Sequence, residues 1–224
     1  MTGWGRAAVV GAAVAALAAM ALVAALALGL FSAPAAPPTR VLVVGTAPDD
    51  SGTPMAAFAY VVDMTSGEVT VLDTLQPATV SGTSATNAFE ALPFGGGSAV
   101  SSALSSQTGG SPLPWVVLPA ETWASLVSAA GGITVDVPRR LSAYNSGSLV
   151  LLEQGKQQLR GSDAVAVAGS APRAGSAEDA AAVLKGISSA VSVVAGDRAQ
   201  LRDLIEQGKA ESSISVEEFG SPAR

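Results

Sequence analysis

The segment Leu118–Pro138 constrains the fold of this 224-residue chain more than any other. Pro119 suits the first turn of a helix, and the apolar residues of Trp123–Ala130 recur at the i, i+3, i+4 and i+7 spacing of one helix face. Gly131 then supplies a helix stop. Ile133–Val137 alternates apolar and polar residues, which is typical of a half-buried strand. The sequence therefore predicts a helix that leads directly into a strand.

Similar patterns predict further elements on both sides of this block. Ala56–Asp63 and Val69–Leu75 flank a turn at Thr65–Glu68 and are predicted to form a hairpin. Other predicted strands are Val41–Val44, Trp115–Leu118, Leu149–Leu152 and Ser213–Phe219, and other predicted helices are Asn87–Leu92, Ser98–Ser106, a segment capped by Ser162 through Val167, a segment capped by Ser176 up to Gly196, and Asp197–Gln207. Alternating strands and helices with a hairpin predict an α/β class, with a mixed sheet flanked by helices.

The composition excludes several kinds of chemistry. The chain has no cysteine and no histidine, which excludes disulfides, thiol nucleophiles, catalytic triads with histidine, and zinc sites built on these residues. Any metal is expected to be a hard cation held by oxygen atoms. The net charge of −6 and the scattered basic residues argue against nucleic acid as a partner and against wide contact with anionic membrane headgroups.

The N-terminal segment Ala7–Phe31 is an uninterrupted run without charged residues. At about 1.5 Å per residue, it is long enough to cross a hydrocarbon core of about 30 Å. Because Arg6 is the only charged residue before it, the N-terminus is predicted to stay in the cytoplasm. We expect residues 1–6 to be a cytoplasmic tail, 7–31 a transmembrane signal-anchor helix, 32–40 a linker rich in proline and alanine, and 41–220 an extracytoplasmic domain. The predicted location is the plasma membrane, as a single-pass protein.

A cleaved signal peptide is the alternative interpretation of this N-terminal segment. The small residues Ser32, Ala33 and Ala35 fit a cleavage site. The apolar run is longer than the ~7–15 residues usual for such a signal, which favours the anchor.

The order and spacing of the predicted segments resemble a known family. Val41–Thr46 is similar to a first strand with a Gly-Thr-Asp turn, and Val69–Val80 to a strand that ends in Ser-Ile-Pro-Arg-Asp. Thr86–Ala88 resembles a Lys-Leu-Asn-Ala element, Leu113–Pro138 a strand-helix-Gly-Gly-Val-strand block, and Gly155–Ala168 a block that ends in Ala-Leu-Ala. These elements, in this order, resemble the LytR-CpsA-Psr family of envelope proteins.

The resemblance implies an activity, but the charges that this activity needs are largely missing here. Members of the family transfer glycopolymers from polyprenyl-pyrophosphate carriers to peptidoglycan or a related acceptor. Transfer of a pyrophosphate requires cations directed at the developing charge, commonly with a divalent metal ion. The positions that match the charged residues of the family motifs are Ala47, Thr53, Met55, Gln76, Pro77, Gly169, Ala171, Ser176 and Asp179.

Four residues are candidates for a remaining binding site. Asp49 and Asp50 follow the first predicted turn and are able to hold a cation, although aspartates are also common turn formers. Arg173 is expected in a loop before the capped helix, where it either contacts a phosphate or is simply solvated. Asn87 is either a site residue or a helix N-cap. No catalytic residue and no metal ligand are predicted.

Other basic and aromatic residues have simpler explanations. Arg139 and Arg140 are an adjacent basic pair that suits a solubilising loop better than an anion site. Trp115 and Trp123 lie on a predicted strand and on a predicted apolar helix face, so we expect them in the core rather than against a glycan.

The sequence thus predicts a membrane-anchored envelope protein with a LytR-CpsA-Psr-like domain that lacks catalytic activity. The expected partner is a polyprenyl-linked glycan carrier or an envelope-assembly protein, without a cofactor. The alternative is a divergent phosphotransferase that uses Asp49, Asp50 and Arg173, in which case Mg²⁺ is expected. A deep apolar tunnel beside the loop between Gly45 and Pro54 favours lipid binding, whereas a filled core there favours a protein partner.

Overall fold

The computed structural model describes residues 37–145 and 148–219. The predicted cytoplasmic tail, the predicted anchor at 7–31 and residues 32–36 of the predicted linker lie outside the described residues. The described residues comprise the last four residues of the predicted linker and most of the predicted extracytoplasmic domain.

Strands and helices alternate along this domain. The strands are β1 (Arg40–Pro48), β2 (Pro54–Asp63), β3 (Val69–Leu72), β4 (Trp115–Leu118), β5 (Ile133–Val137), β6 (Leu141–Asn145), β7 (Ser148–Leu152), β8 (Gly155–Leu159) and β9 (Glu211–Ser212). The α-helices are α1 (Ala88–Ala103), α2 (Ala120–Ala129), α3 (Gly161–Ala174), α4 (Ala177–Ala195) and α5 (Arg198–Glu206), with short 3₁₀ turns at Ser105–Gln107 and Glu217–Phe219.

A five-stranded mixed sheet in the order β3-β2-β1-β4-β9 forms the centre of the domain. β1 is antiparallel to β2 and parallel to β4, and Gly45 of β1 pairs with Leu118 of β4. The carboxyl ends of β1 and β4 therefore lie side by side at one edge of the sheet. The predicted α/β class with a mixed sheet flanked by helices is confirmed.

Both faces of this sheet are covered by apolar side chains. On one face Leu42 and Val44 pack with Val100 of α1, and on the other Val41 and Val43 pack with residues of α2 to α5. The even and odd positions of β1 thus belong to different cores, as the side-chain period of a strand requires. The domain is a three-layer arrangement with α1 on one side and four helices on the other.

An aromatic cluster ties α2 to the end of β1. The Phe58 ring occupies the space where a Cβ on Gly45 would lie, with ring carbons 2.0–2.5 Å from that position. Trp123 of α2 stands edge-on to Phe58 at 5.1 Å between ring centroids. Its indole Nε1 donates a hydrogen bond to the Thr46 carbonyl at 2.7 Å. Trp123 is fully buried, so its expected place in the core is confirmed.

The block that dominates the sequence pattern folds as expected. Gly131 and Gly132 have φ angles of 85° and 103°, a left-handed conformation that glycine adopts without steric cost. Their N–H groups donate to the carbonyls of Ser128 and Val127 at 3.1 and 2.8 Å and close the helix. β5 then alternates buried and exposed residues. The predicted helix, stop and strand are confirmed.

The predicted helices Asn87–Leu92 and Ser98–Ser106 correspond to the two halves of α1. The helix is broken at Gly95 and Gly96, whose backbone angles are not helical. The predicted hairpin of β2 and β3 is also confirmed, although β3 ends at Leu72 rather than Leu75.

Two small antiparallel ribbons went largely unpredicted. β5 pairs with β8, and β6 pairs with β7, whereas the sequence indicated only β5 and the apolar residues of β7. β8 has the sequence Gly-Lys-Gln-Gln-Leu and buries only Leu159, so it lacks the apolar alternation that identifies a strand.

The predicted helix capped by Ser162 begins earlier and ends later than expected. Arg160 is the N-cap of α3, without a side-chain cap, and Ser162 lies inside the first turn. Gly161, the first residue of α3, lies against α2, where an added Cβ would be 1.9 Å from the Ala124 carbonyl oxygen. α3 continues to Ala174, so the prediction that Arg173 lies in a loop is wrong.

The predicted terminal strand Ser213–Phe219 is also wrong. Only Glu211 and Ser212 pair with β4. Beyond them, the Glu218 carboxylate accepts hydrogen bonds from the backbone N–H and the hydroxyl of Ser215. The chain then forms the 3₁₀ turn Glu217–Phe219 instead of a strand. Ile214 and Phe219 are nevertheless buried, as their apolar character demands.

No single helix within 37–145 and 148–219 is both long enough and apolar enough to cross a membrane. The pair α4 and α5 meets that criterion jointly, with a bend of 83° between the two helices.

Candidate functional site

The loop that follows β1 is organised around the carboxylate of Asp49. Its Oδ1 accepts hydrogen bonds from the backbone N–H and the hydroxyl of Ser51, at 2.8 and 2.6 Å, and from the N–H of Thr53 at 3.0 Å. These bonds favour the charged form, so they lower the pKa of Asp49, the Ser51 hydroxyl contributing most and the charge of Arg173 adding to the effect. Asp49 is thus a fixed anion at neutral pH.

Arg173 joins this loop to the last turn of α3. Its Nη2 lies 3.3 Å from Oδ2 of Asp49, and its Nη1 lies 3.0 Å from Oδ2 of Asp50. The Asp49 side chain is 17% exposed, whereas those of Arg173 and Asp50 are 45% and 74% exposed. The fold therefore brings three of the four candidate residues together, around a guanidinium shared by two carboxylates.

Asn87, the fourth candidate, caps helix α1. Its side-chain oxygen accepts from the N–H of Glu90 at 3.0 Å, and the Glu90 carboxylate accepts from the N–H and hydroxyl of Thr86. This reciprocal arrangement satisfies free N–H groups at the start of the helix. Asn87 is not among the residues that line the cavity described next.

A cavity of about 740 Å³ opens beside the Asp49 loop. Its walls come from the end of β1 and the following loop, the first turns of α2, and one face of α3. Five of the lining residues are apolar, namely Pro48, Ala120, Ala124, Val165 and Ala166, and the others are Asp49, Asp50, Gly52, Glu121, Ser162 and Ser170. The space beside the loop is thus open, while the aromatic cluster fills the core beneath the neighbouring end of the sheet.

Two positions where the family resemblance requires charged residues are packed against each other. Ala47 is fully buried at the end of β1. Gly169 of α3 lies directly above it, where a Cβ would be 2.1 Å from the Pro48 carbonyl oxygen and 3.5 Å from the Ala47 Cβ. Neither position has room for a charged side chain.

Other positions that the resemblance matches to charged residues of the family motifs have structural roles or are solvated. Gln76 and Pro77 are exposed in a loop. Ser176 caps α4 by accepting from the N–H of Asp179 at 3.2 Å, which confirms the predicted cap. Hydrogen bonding by the Ser176 hydroxyl and the charge of Arg139 lower the pKa of Asp179.

The adjacent basic pair is engaged in surface ion pairs. Arg139 Nε lies 2.8 Å from Oδ2 of Asp179, and Arg140 Nε lies 3.4 Å from Oε1 of Glu153. Exposed pairs of this kind contribute ~0–1 kcal/mol to stability. Neither arginine is among the residues lining the cavity.

The residues of the cavity do not fit a divalent metal ion. Oδ1 of Asp49 already accepts three hydrogen bonds, and Oδ2 of both aspartates faces Arg173. In the part of the chain that the structure describes, no group of three or more His, Cys, Asp or Glu residues is placed to hold a metal. The Mg²⁺ implied by the family resemblance has no suitable ligand set at this loop.

Several cavity residues were missed by sequence reasoning. Glu121, Ala124 and the face of α3 from Ser162 to Ser170 lie within or beside the blocks that resemble the family, but none of them was predicted from the sequence to be a binding residue. The signal that would have identified Glu121 is topological. β1 and β4 are parallel, and the segments that follow neighbouring parallel strands meet at the same edge of the sheet.

Comparison with known proteins identifies the fold. No family model matches the sequence, and no curated protein matches it. The LytR-Csp2A-Psr enzyme from Actinomyces oris matches with a TM-score of 0.54 and 21% identity over 84% of this chain and 75% of that one. TagV from B. subtilis matches with a TM-score of 0.52 and 16% identity over 80% of this chain and 76% of that one.

A third solved structure, protein gbs0355 from Streptococcus agalactiae, matches with a TM-score of 0.53 and 12% identity over 80% of this chain and 69% of that one. At these identities the comparisons establish the fold. The chain therefore has the fold of LytR-CpsA-Psr proteins, and the resemblance found in the sequence is confirmed at that level.

A larger side chain at Gly169 is expected to destabilise the domain. Gly169→Ala places a methyl group against the Pro48 carbonyl and should lower the free energy of unfolding by about 1–3 kcal/mol, and Gly169→Arg by more. Denaturant unfolding of the full-length chain in detergent, followed by tryptophan fluorescence, measures this. The control is Gly186→Ala in α4, where the added Cβ meets only the end of the Val135 side chain at 3.0 Å. A Gly169→Arg protein as stable as the wild type would contradict the packing described.

The Asp49 carboxyl is expected to titrate below its ordinary pKa of 3.8. Because its pKa is lowered by folding, its contribution to stability is present above the ordinary value and is lost as the pH falls through the folded value. Ser51→Ala removes the largest cause and should raise the pKa toward 3.8. Carbon-13 NMR titration of the carboxyl group measures both effects. Ser66→Ala, beside the turn aspartate Asp63, is the control and should leave Asp49 unchanged; an Asp49 pKa insensitive to Ser51→Ala would refute the assignment.

Proposed function

We propose that this domain binds the prenyl chain of a polyprenyl-linked glycan carrier in the cavity beside Asp49, without transferring the glycan. The observation that carries the proposal is the cavity itself. Its volume of about 740 Å³ falls in the ~300–1,000 Å³ range of ligand sites, and alanine, valine and proline side chains form much of its wall. The carrier class comes from the family resemblance, which the shared fold supports.

The proposed absence of catalysis follows from the charges around the cavity. Phosphoryl transfer depends on cations placed where negative charge develops. Ala47 and Gly169 leave no room for such groups, and Arg173 is held by two carboxylates. One guanidinium in this setting is a poor substitute for an arginine cluster with a metal ion.

We also propose that residues 7–31 anchor the protein in the plasma membrane and leave the domain outside the cytoplasm. An uncharged run of this length suits a membrane span. The positive charge of Arg6, which precedes the run, supports a cytoplasmic location for the N-terminus. Such an anchor would keep the domain near the lipid that it is proposed to bind. The cleaved signal peptide remains the alternative for this segment.

Obstructing the cavity is expected to abolish lipid binding. Ala124→Phe places a large ring in the cavity, whereas Ser125→Phe adds the same ring at the exposed neighbouring position of α2. Binding of a fluorescent polyprenyl phosphate to the full-length protein in detergent should weaken at least about tenfold with Ala124→Phe, equivalent to the loss of about 1.4 kcal/mol of contacts. It should change little with Ser125→Phe.

Two results would contradict this proposal. Equal binding by the two variants would remove the cavity from consideration. Recovery of an envelope protein but no prenyl lipid with the protein purified from membranes would support an assembly partner instead.

A divergent phosphotransferase is the second candidate, since the fold brings Asp49, Asp50 and Arg173 together. It requires the purified protein to transfer or hydrolyse a polyprenyl-pyrophosphate substrate in the presence of Mg²⁺. It further requires that replacing all three residues by alanine abolish the activity. We expect no turnover in the wild type. Turnover that depends on the three residues would establish this candidate, and turnover that survives their replacement would locate the chemistry elsewhere.

A further inference from the structure

The charged side chains that line the cavity all have the same sign. They are Asp49, Asp50 and Glu121. The guanidinium of Arg173 at this edge lies within 3.3 Å of carboxylate oxygens of both aspartates. Three carboxylates and one guanidinium leave two net negative charges around a cavity whose wall is partly apolar.

One of these carboxylates has a fixed position, and all three keep their negative charge at the edge of the cavity. Asp49 is fixed by its hydrogen bonds to Ser51 and Thr53. Glu121 lies in the first turn of α2, where the helix dipole favours its negative charge. A ligand whose apolar part enters the cavity therefore places its headgroup beside a negative edge.

We propose that the cavity selects prenyl lipids with low headgroup charge, and that it binds an uncharged polyprenol or a polyprenyl monophosphate more tightly than a polyprenyl pyrophosphate. This inference rests on the proposed function, because it concerns the headgroup of the same lipid. According to this inference, the carboxylates at the edge of the cavity distinguish lipids that have identical prenyl chains but different headgroup charges.

The expected size of the selection follows from Coulomb's law. Two unit charges about 4 Å apart in a water-like dielectric interact by an amount equivalent to about a fivefold change in affinity. Each additional headgroup charge should thus weaken binding by about threefold to tenfold at low salt. The discrimination should shrink as the Debye length falls from about 30 Å at about 0.01 M salt to about 3 Å at about 1 M.

The test compares three lipids of one chain length on the full-length protein in uncharged detergent micelles. Polyprenol, polyprenyl phosphate and polyprenyl pyrophosphate compete with a fluorescent polyprenol at low and at high salt. We expect affinity to fall in that order at low salt and the three to converge at high salt. If the fluorescent polyprenol itself does not bind, and no displacement can therefore be measured, the proposed function is rejected. If all bind but the pyrophosphate binds as well as the polyprenol or better, only the headgroup selection is overturned.

Neutral variants test whether the carboxylates cause the selection. Asp50→Asn with Glu121→Gln removes two charges from exposed side chains and should raise pyrophosphate affinity about tenfold or more at low salt, with a much smaller change in polyprenol affinity. Glu178→Gln is the matched control, because Glu178 is also an exposed first-turn acid of a helix but does not line the cavity. Unchanged discrimination in the double variant would overturn the inference, as would an equal gain in the control.

Discussion

The packing of Phe58 onto Gly45 is the contact on which the rest of this domain depends. A glycine in β1 allows the ring to lie flat on the strand, and the ring then gives Trp123 an edge to pack against. The indole in turn holds α2 to the Thr46 carbonyl. Because α2 is fixed in this way, its first turns become one wall of the cavity. The glycine at position 45 of β1 thus helps to determine where the cavity lies.

The sequence was sufficient for those parts of the fold in which pattern and packing agree. The block from Leu118 to Pro138 has helix periodicity, two glycines and strand alternation, and all three survive in the structure. β8 could not be predicted because a two-stranded ribbon needs to bury only Leu159. The continuation of α3 past Val167 could not be predicted either, because it depends on Gly169 and Ala171 packing onto elements distant in sequence.

The candidate site shows the same division between local and long-range information. Asp49 and Asp50 were recognisable as polar residues after a buried strand, and Asn87 was recognisable as a helix cap. The ion pairs with Arg173 were not, because Arg173 lies 124 positions from Asp49 in the sequence and because it was expected in a loop rather than in a helix. The acidic edge of the cavity likewise joins two segments, the loop after β1 and the first turn of α2, which only the parallel pairing of β1 with β4 brings together.

The contact between Ala47 and Gly169 has a consequence for how such a domain can change over generations. An aspartate introduced at position 47 alone would meet the backbone of α3, and an arginine at 169 alone would meet the Pro48 carbonyl. Each single step costs stability before the pair offers any benefit, and a typical domain has only about 5–15 kcal/mol to lose. A charged side chain at either position therefore requires α3 to move first. The small side chains of Ala47 and Gly169 thus oppose any stepwise introduction of charge at this end of the sheet.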